Sequence, residues 1–377
     1  MWRLGAALIK QVDWLLVVSL AALAGTGLLT MRSFTGTNYF FTRQSIWLVL
    51  GFGLLFAMSR IDFRFLRRSG LLVLLYIALA AALGGLLLFG EMTKGARGWI
   101  DFGFFSFQPA DFMKLVLILI LAKYFSRRHI EIAQVRHILV SGLYALAPFA
   151  LILLQPDFGS AVIVAVLWLG MIMVSGVSKK HLLIVLAVGL ATLGVLWFSV
   201  FTANQQARII TFFYPLADIR GAGYSAFQST IAVGSGQLLG KGVGFGTQSR
   251  LNFLPEYETD FIFAAFAEEW GLVGVAIYFA LFGFVIWRIM QTSSRGATNF
   301  ETLYGLGLAL FFMSHFIINV GMNIGLLPVT GLTLPFTSYG GSHLLAEFLG
   351  LGILMGMRRY SYAVHRAELA NEFLGVV

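Results

Sequence analysis

Between Leu71 and Phe89 the chain runs for 19 residues without a charged side chain, and between His181 and Ala207 it runs for 27 without Asp, Glu, Lys or Arg. Roughly 20 apolar residues in a helix cross a hydrocarbon core of about 30 Å. In lipid only helices and closed barrels satisfy their own backbone hydrogen bonds. Uninterrupted apolar runs of this length dictate membrane-spanning helices before any motif is considered. Composition agrees: 11% of the 377 residues are charged, against about 25% in soluble chains. Soluble folds drop out.

Apolar segments recur near 14–31, 45–58, 71–89, 112–124, 138–154, 160–175, 182–202, 261–287, 303–325 and 343–357. They predict an all-α polytopic integral membrane protein of about ten transmembrane helices, one domain over residues 1–377. Arg3 and Lys10 precede the first apolar run, and no small-residue cleavage site closes it, so the first span is expected to be uncleaved. With a cytoplasmic N-terminus, the inner segments hold 17 of the 26 Lys and Arg residues, the outer loops hold 8, and Lys114 lies in a span. The positive-inside rule then places both termini in the cytoplasm. Orientation accounts for the net charge of +9, so no nucleic-acid partner is expected. The absence of cysteine excludes thiol and disulfide chemistry. No internal repeat or soluble domain stands out.

Two outer segments exceed what a connection needs, residues 90–111 and, between the seventh and eighth helices, 203–260. Long ordered loops are where function concentrates. Gly221–Gly240 is uncharged but rich in Gly, Ser and Gln, a poor span and a better re-entrant or interfacial segment, helical through Tyr224–Val233. The sequence GKGVGFGT that follows offers positive φ and exposed backbone N–H groups. It lacks the GxxxxGK[ST] order and a preceding strand, so it is not a nucleotide loop. Two readings stay open for it, a surface hinge and an anion-binding turn assisted by Lys241 and Arg250. Gly240–Gly271 as a whole carries five carboxylates. In LPEYETDFIF, Glu256, Glu258 and Asp260 crowd three of them before the eighth span, and mutual repulsion at a low-dielectric boundary raises at least one pKa. Such a group suits a general base. Thr259-Asp260 suits equally the N-cap of a helix starting at Phe261. Glu268 and Glu269, about 12 Å further along that helix, are expected at the headgroups or in a polar groove.

GKGVGFGTQSRLNFLPEYETDFIFAAFAEEWG resembles the signature of the SEDS family of bacterial cell-wall polymerases. Further matches lie in GARGWIDFGFFSFQPADFMKL (95–115), LLQPDFGSA (153–161), ARIITFFYPLADIRGAGYSAFQSTIAVGSG (207–236) and NVGMNIGLLPVTGLTLPFTSYGGSHLL (319–345). Together they cover essentially the whole chain, in order, with the elongation-type branch the nearest.

The resemblance implies a ten-helix peptidoglycan glycosyltransferase of the bacterial cytoplasmic membrane, polymerising lipid II at the outer face with 203–260 as its catalytic loop. It implies a class B penicillin-binding protein as partner, alongside other elongation-complex proteins and membrane lipids. Asp260 takes the place of the essential aspartate of the TDFIF motif. Asp111 and Lys114, in QPADFMK where the family reads QPSE and then Lys, form a second site. With Arg97, Arg208, Lys241, Gln248, Arg250, Glu256 and Thr259 they complete the expected substrate contacts, Arg208 foremost for pyrophosphate. No cofactor is required by a motif; a divalent cation (Mg or Mn) would find its ligands in Asp260 and Asp111. Departures from the family are Asp111 for Glu, Ala110 for Ser, Gly98 for an Arg that Arg97 replaces, Gln237 for Gly, and His343 for Ser. His343 and Glu347 are spaced to pair. His315, Asn319 and Asn323 form a polar stripe suited to bonding between helices, with a groove lining as the alternative. The Pro328–Gly341 loop is expected beside the catalytic loop. Two rival functions are a flippase for the lipid-linked precursor and a division-type polymerase; a non-catalytic scaffold is a third reading. The absence of repeats and the clustering of charge at the outer face weigh against transport.

Overall fold

The computed structural model describes residues 12–34, 38–67, 70–92, 95–103, 105–127, 135–215 and 218–373, without the side chains of Lys179 and of residues beyond 359. Arg3, Lys10, Arg68, Lys94 and Arg128 of the charge distribution lie outside the described residues. Helices dominate: α1 (Trp14–Ser33), α2 (Tyr39–Met58), α3 (Leu71–Phe89), α4 (Pro109–Ser126), α5 (Val135–Leu154), α6 (Phe158–Val174) and α7 (Lys179–Ser199). The segment expected as one long loop holds α8 (Ala203–Phe213), α9 (Tyr224–Ser235) and the single turn α10 (Thr247–Arg250). Then come α11 (Ile262–Ser294), α12 (Asn299–Asn323) and α13 (Gly341–Phe373). A short antiparallel pair, β1 (Ile100–Asp101) with β2 (Ser106–Phe107), sets Ile100 opposite Phe107 ahead of α4.

Each of the ten expected apolar segments falls on a helix. Seven of these, α1, α2, α3, α5, α7, α11 and α12, are long and apolar enough to cross a membrane. Among the others, α4 carries Asp111, Lys114 and Lys123 within 18 residues and α6 has only 17 residues. The sequence explains the ends: Pro109 opens α4, where its missing N–H costs nothing, and the Asp157 carboxylate caps α6 by accepting from Ser160 N–H at 2.9 Å.

Burial sorts the helices into a centre and a rim. Nearly every residue of α4 is buried, and α12 packs antiparallel to it, Gly307 lying so close to Ile118 that a Cβ would meet it at 2.5 Å. By contrast α7 presents Leu183, Leu190, Val195 and Phe198 outward, the pattern of a helix whose neighbours are lipid tails rather than protein. At one end of the bundle Asp13 accepts hydrogen bonds from Arg288 at 2.8 Å and from Arg358, tying α1, α11 and α13 together.

The helix α11 is broken once, at Gly271, with φ 65° and ψ −169°. The break is a splice: Leu272 and Val273 donate to Gln237 and Leu238 carbonyls at 2.9 and 3.1 Å, while Lys241 and Gly242 donate to those of Glu268 and Glu269 at 3.0 Å each. Backbone approaches backbone so closely that a Cβ on Gly271 would lie 2.2 Å from the Gly240 nitrogen. Only glycine fits, for space and for φ.

Candidate functional site

The glycine turn does hold an anion, and the anion belongs to the chain. Glu268, fully buried, accepts from Thr247 N–H and Thr247 Oγ1 at 2.9 Å each and from Gln248 N–H at 3.1 Å. Its Oε1 also lies 2.6 Å from Lys241 Nζ. Gly244 N–H donates to Glu269 at 3.1 Å, and Ser33 Oγ of α1 donates to the same oxygen. Both glutamates are buried and face the polar groups of this turn. Those of the turn come from 20 to 27 residues upstream and Ser33 from 236, α11 itself offering no cation one turn away.

Asp260 sits in a loop clamped from behind. Its carbonyl accepts from Asn319 Nδ2 at 2.9 Å and Asn323 Nδ2 at 3.0 Å, while Asn323 Oδ1 accepts from Ala264 N–H at 3.1 Å. On the flanks, Tyr339 N–H donates to Glu258 O at 2.8 Å and Ser338 Oγ to Thr259 O at 2.6 Å. The Pro328–Gly341 segment therefore packs against this loop as expected. The polar stripe bonds α12 to the loop and also helix to helix: Asn323 accepts from Ala264 N–H of α11 and from Ser229 Oγ of α9, the latter at 2.8 Å to its carbonyl. Asp260 is not the N-cap of α11: that place is taken by Phe261 without a side-chain cap. Thr259 Oγ1 is not the cap either, and turns back to Glu256, 3.3 Å from Oε2. Glu256 itself adopts a positive φ of 48°, so that its carbonyl receives both Thr259 and Phe261 N–H at 3.2 Å. The Asp260 carboxylate faces Gly331, where a Cβ would lie 3.4 Å from Oδ2. Burial and the neighbouring Glu258 raise the Tyr257 phenol above its ordinary range.

One turn from Asn319 along α12, about 6 Å, begins a second buried cluster. Asp111 and Lys114, 2% and 1% exposed, pair at 3.1 Å as their spacing suggests. His343 Nδ1 lies 3.2 Å from Asp111 Oδ1, and its Nε2 lies 3.1 Å from Glu347 Oε1. The His315 ring lies 4.7 Å from that of His343, tilted by 36°. The sequence reading paired His343 with Glu347 but missed Asp111 as its other neighbour. The shortened carboxylate at 111 and the enlarged side chain at 343 meet each other across the α4–α13 contact. The stripe His315–Asn319–Asn323 is thus the bridge from this cluster to the Asp260 loop.

The remaining expected contacts are more dispersed. Arg208, exposed on α8, donates to Val329 O at 3.4 Å. Arg250 is exposed and donates to Gly244 O at 3.1 Å. Arg97 donates its backbone N–H to Gln155 O at 3.2 Å and its guanidinium to Leu87 O at 3.4 Å. Gln248 uses its backbone N–H on Glu268, and Lys241 is committed to the same carboxylate. At Asp111 the Lys114 ammonium and His343 Nδ1 both approach Oδ1, while Oδ2 is buried with no hydrogen-bond partner. Among the described residues no three His, Asp or Glu side chains are grouped as metal ligands.

Comparison with known proteins gives this geometry a context. The family described as "Cell cycle protein", FtsW/RodA/SpoVE, matches residues 6–363. The Escherichia coli K12 peptidoglycan glycosyltransferase MrdB is 38% identical over 286 residues, covering 76% of this chain and 77% of its own. A solved structure described as the structural coordination of polymerization and crosslinking by a peptidoglycan synthase complex superimposes with a TM-score of 0.79. It is 32% identical and covers 93% of this chain and 98% of its own. The Thermus thermophilus rod shape determining protein RodA gives a TM-score of 0.69 at 31% identity, with 93% and 97% covered. With the match running nearly end to end, the chain belongs to the FtsW/RodA/SpoVE family of multi-pass membrane proteins, on its RodA-like side.

Proposed function

We propose that this protein is a peptidoglycan glycosyltransferase that polymerises lipid II during cell elongation, with Asp260 as its general base. The observation that carries the reading is the double amide clamp of Asn319 and Asn323 on the Asp260 carbonyl, which fixes the backbone of the carboxylate from a rigid helix. A hydroxyl of the acceptor sugar attacks the anomeric carbon of the donor. As the new C–O bond forms, the bond to the polyprenyl pyrophosphate breaks with inversion, and the hydroxyl proton passes to the Asp260 carboxylate. Arg208 and Arg250 stabilise the departing diphosphate, while Lys241 and Gln248 act indirectly by holding Glu268.

The chain crosses the bacterial cytoplasmic membrane ten times, both termini inside, with 203–260 and Asp260 on the outer face. A class B penicillin-binding protein is the partner that crosslinks the product. The similarity to MrdB and to a chain of a peptidoglycan synthase complex supports both readings. The test is polymerisation of labelled lipid II by purified protein with its cognate penicillin-binding protein. Wild type should yield glycan polymer and Asp260→Ala none, with the complex still co-purifying. Undiminished polymer from Asp260→Ala would defeat the assignment; facilitated transfer of lipid II across vesicles without polymer would favour the flippase.

A further inference from the structure

Two buried polar groups have no part in the chemistry above. His343 and Glu347 both lie on α13, 7% and 0% exposed, among neighbours that are mostly apolar. Burying such side chains is costly unless they are paired, and their partners come from three elements. His343 Nδ1 meets Asp111 Oδ1 of α4 at 3.2 Å, and its Nε2 lies 3.1 Å from Glu347 Oε1, one turn along its own helix. The other Glu347 oxygen leaves the helix: Oε2 accepts from the backbone N–H of Phe336 at 3.0 Å.

Phe336 needs such an anchor. Its φ of 60° lies in the left-handed region, which a non-glycine residue keeps only where its surroundings impose it. Its ring lies 4.9 Å from that of Phe312 and 5.9 Å from that of Phe348, and Glu347 fixes its N–H. Just beyond it, Ser338 Oγ and Tyr339 N–H make the bonds to the Thr259 and Glu258 carbonyls that precede Asp260. A continuous path of polar contacts and backbone thus runs from the Asp111–Lys114 pair through His343, Glu347 and Phe336 to the catalytic loop. It is separate from the clamp of Asn319 and Asn323, which reaches the Asp260 carbonyl from α12.

We propose that His343 and Glu347 are positioning residues for polymerisation: they fix the left-handed turn at Phe336 and, through it, the side of the Asp260 loop that Ser338 and Tyr339 hold. Glu347 supplies the acceptor, and His343, held in turn by Asp111, sets its orientation. Neither side chain touches the reacting atoms. This role rests on Asp260 as the general base.

The test combines lipid II polymerisation by the full-length protein with its cognate penicillin-binding protein and amide exchange in nanodiscs. Glu347→Leu removes the acceptor of Phe336 N–H and should lower kcat about tenfold with KM within about twofold of wild type. Exchange at Phe336 and Tyr339 should accelerate about tenfold, while Lys241 and Gly242, in the splice at Gly271, stay as in wild type; a general loosening of the fold would move both pairs. Glu347→Gln keeps an acceptor oxygen and should hold kcat within about threefold of wild type. His343→Ala should lower kcat about fivefold, and it decides the matter if Glu347→Leu does not purify as folded protein. Wild-type kcat and exchange in Glu347→Leu, or in His343→Ala where that variant alone folds, would overturn the proposal, as would Glu347→Gln as impaired as Glu347→Leu. Undiminished polymer from Asp260→Ala would instead defeat the assignment of the base, with exchange at Phe336 and Tyr339 still reporting on the turn.

Discussion

Replacing Glu268 by alanine tests the structural logic of the site more sharply than any change at Asp260. The carboxylate is fully buried and is the acceptor for Thr247 N–H, Thr247 Oγ1 and Gln248 N–H, with Lys241 as its counter-charge. In Glu268→Ala the ammonium of Lys241, 30% exposed, swings to water, but the two backbone donors have nowhere to go. A buried N–H left without an acceptor costs about 1–3 kcal/mol, so the pair costs about 4 kcal/mol locally. Every 1.4 kcal/mol is about a factor of ten, and local opening is what amide exchange reads. Exchange at Thr247 and Gln248 in nanodisc-reconstituted protein should therefore accelerate by roughly a thousandfold, while the centre of α12 stays protected. Glu268→Gln, which keeps one acceptor oxygen, should fall between. Unchanged exchange at Thr247 and Gln248 in Glu268→Ala would refute the claim that this carboxylate organises the turn.

Three further outcomes follow from the packing. Asn323→Ala removes a donor from the Asp260 carbonyl and the acceptor of Ala264 N–H; kcat for lipid II polymerisation should fall about 100-fold with KM little changed, since displacement of about 1 Å at a catalytic group costs that much. Asp111→Ala strands the Lys114 ammonium in a site 1% exposed and should destabilise by about 3–5 kcal/mol in thermal unfolding, whereas Asp111→Ala/Lys114→Met should recover most of that without recovering activity. Gly271→Ala should not yield folded protein by size-exclusion chromatography, because its Cβ meets backbone 2.2 Å away, while Gly84→Ala, with no atom within 4 Å, should behave as wild type.

The apolar helices were legible because lipid enforces them: Leu71–Phe89 is a helix to the residue, and the eighth span begins one residue from where the end of the acidic run puts it. Pairs within one turn of one helix, Asp111 with Lys114 and His343 with Glu347, were equally readable from spacing. What spacing cannot carry is a partner on another element. Asp13 draws Arg288 and Arg358 from 275 and 345 positions away, and His343 meets Asp111 across 232. The glycine turn stayed open between a hinge and an anion-binding turn, and spacing could not name the chain's own Glu268 as the group it holds. One signal was present: Glu268 and Glu269 lie in an apolar helix with no Lys or Arg three or four residues away, so buried carboxylates there require donors from elsewhere. The N-cap reading of Thr259-Asp260 failed because a cap is a local solution, and here Asn319 and Asn323 hold the loop from a distant helix.

The splice at Gly271 also bears on the order in which the molecule assembles. Its bonds join residues at most a few dozen positions apart, 27 for Lys241 with Glu268, so the ring they close is short and its closure entropy small. The clamp on Asp260 reaches 59 and 63 positions, and the Ser338 contact 79. On sequence separation alone, the hinge between the glycine turn and α11 forms early in biogenesis, and the carboxylate is fixed only when α12 and the loop after it dock. Pulse-labelled amide exchange during refolding would show Lys241 protected before Ala264; the reverse order would reject this sequence. A chain truncated before α12 would on this view keep its splice and lack an aligned Asp260, leaving it folded locally and inert.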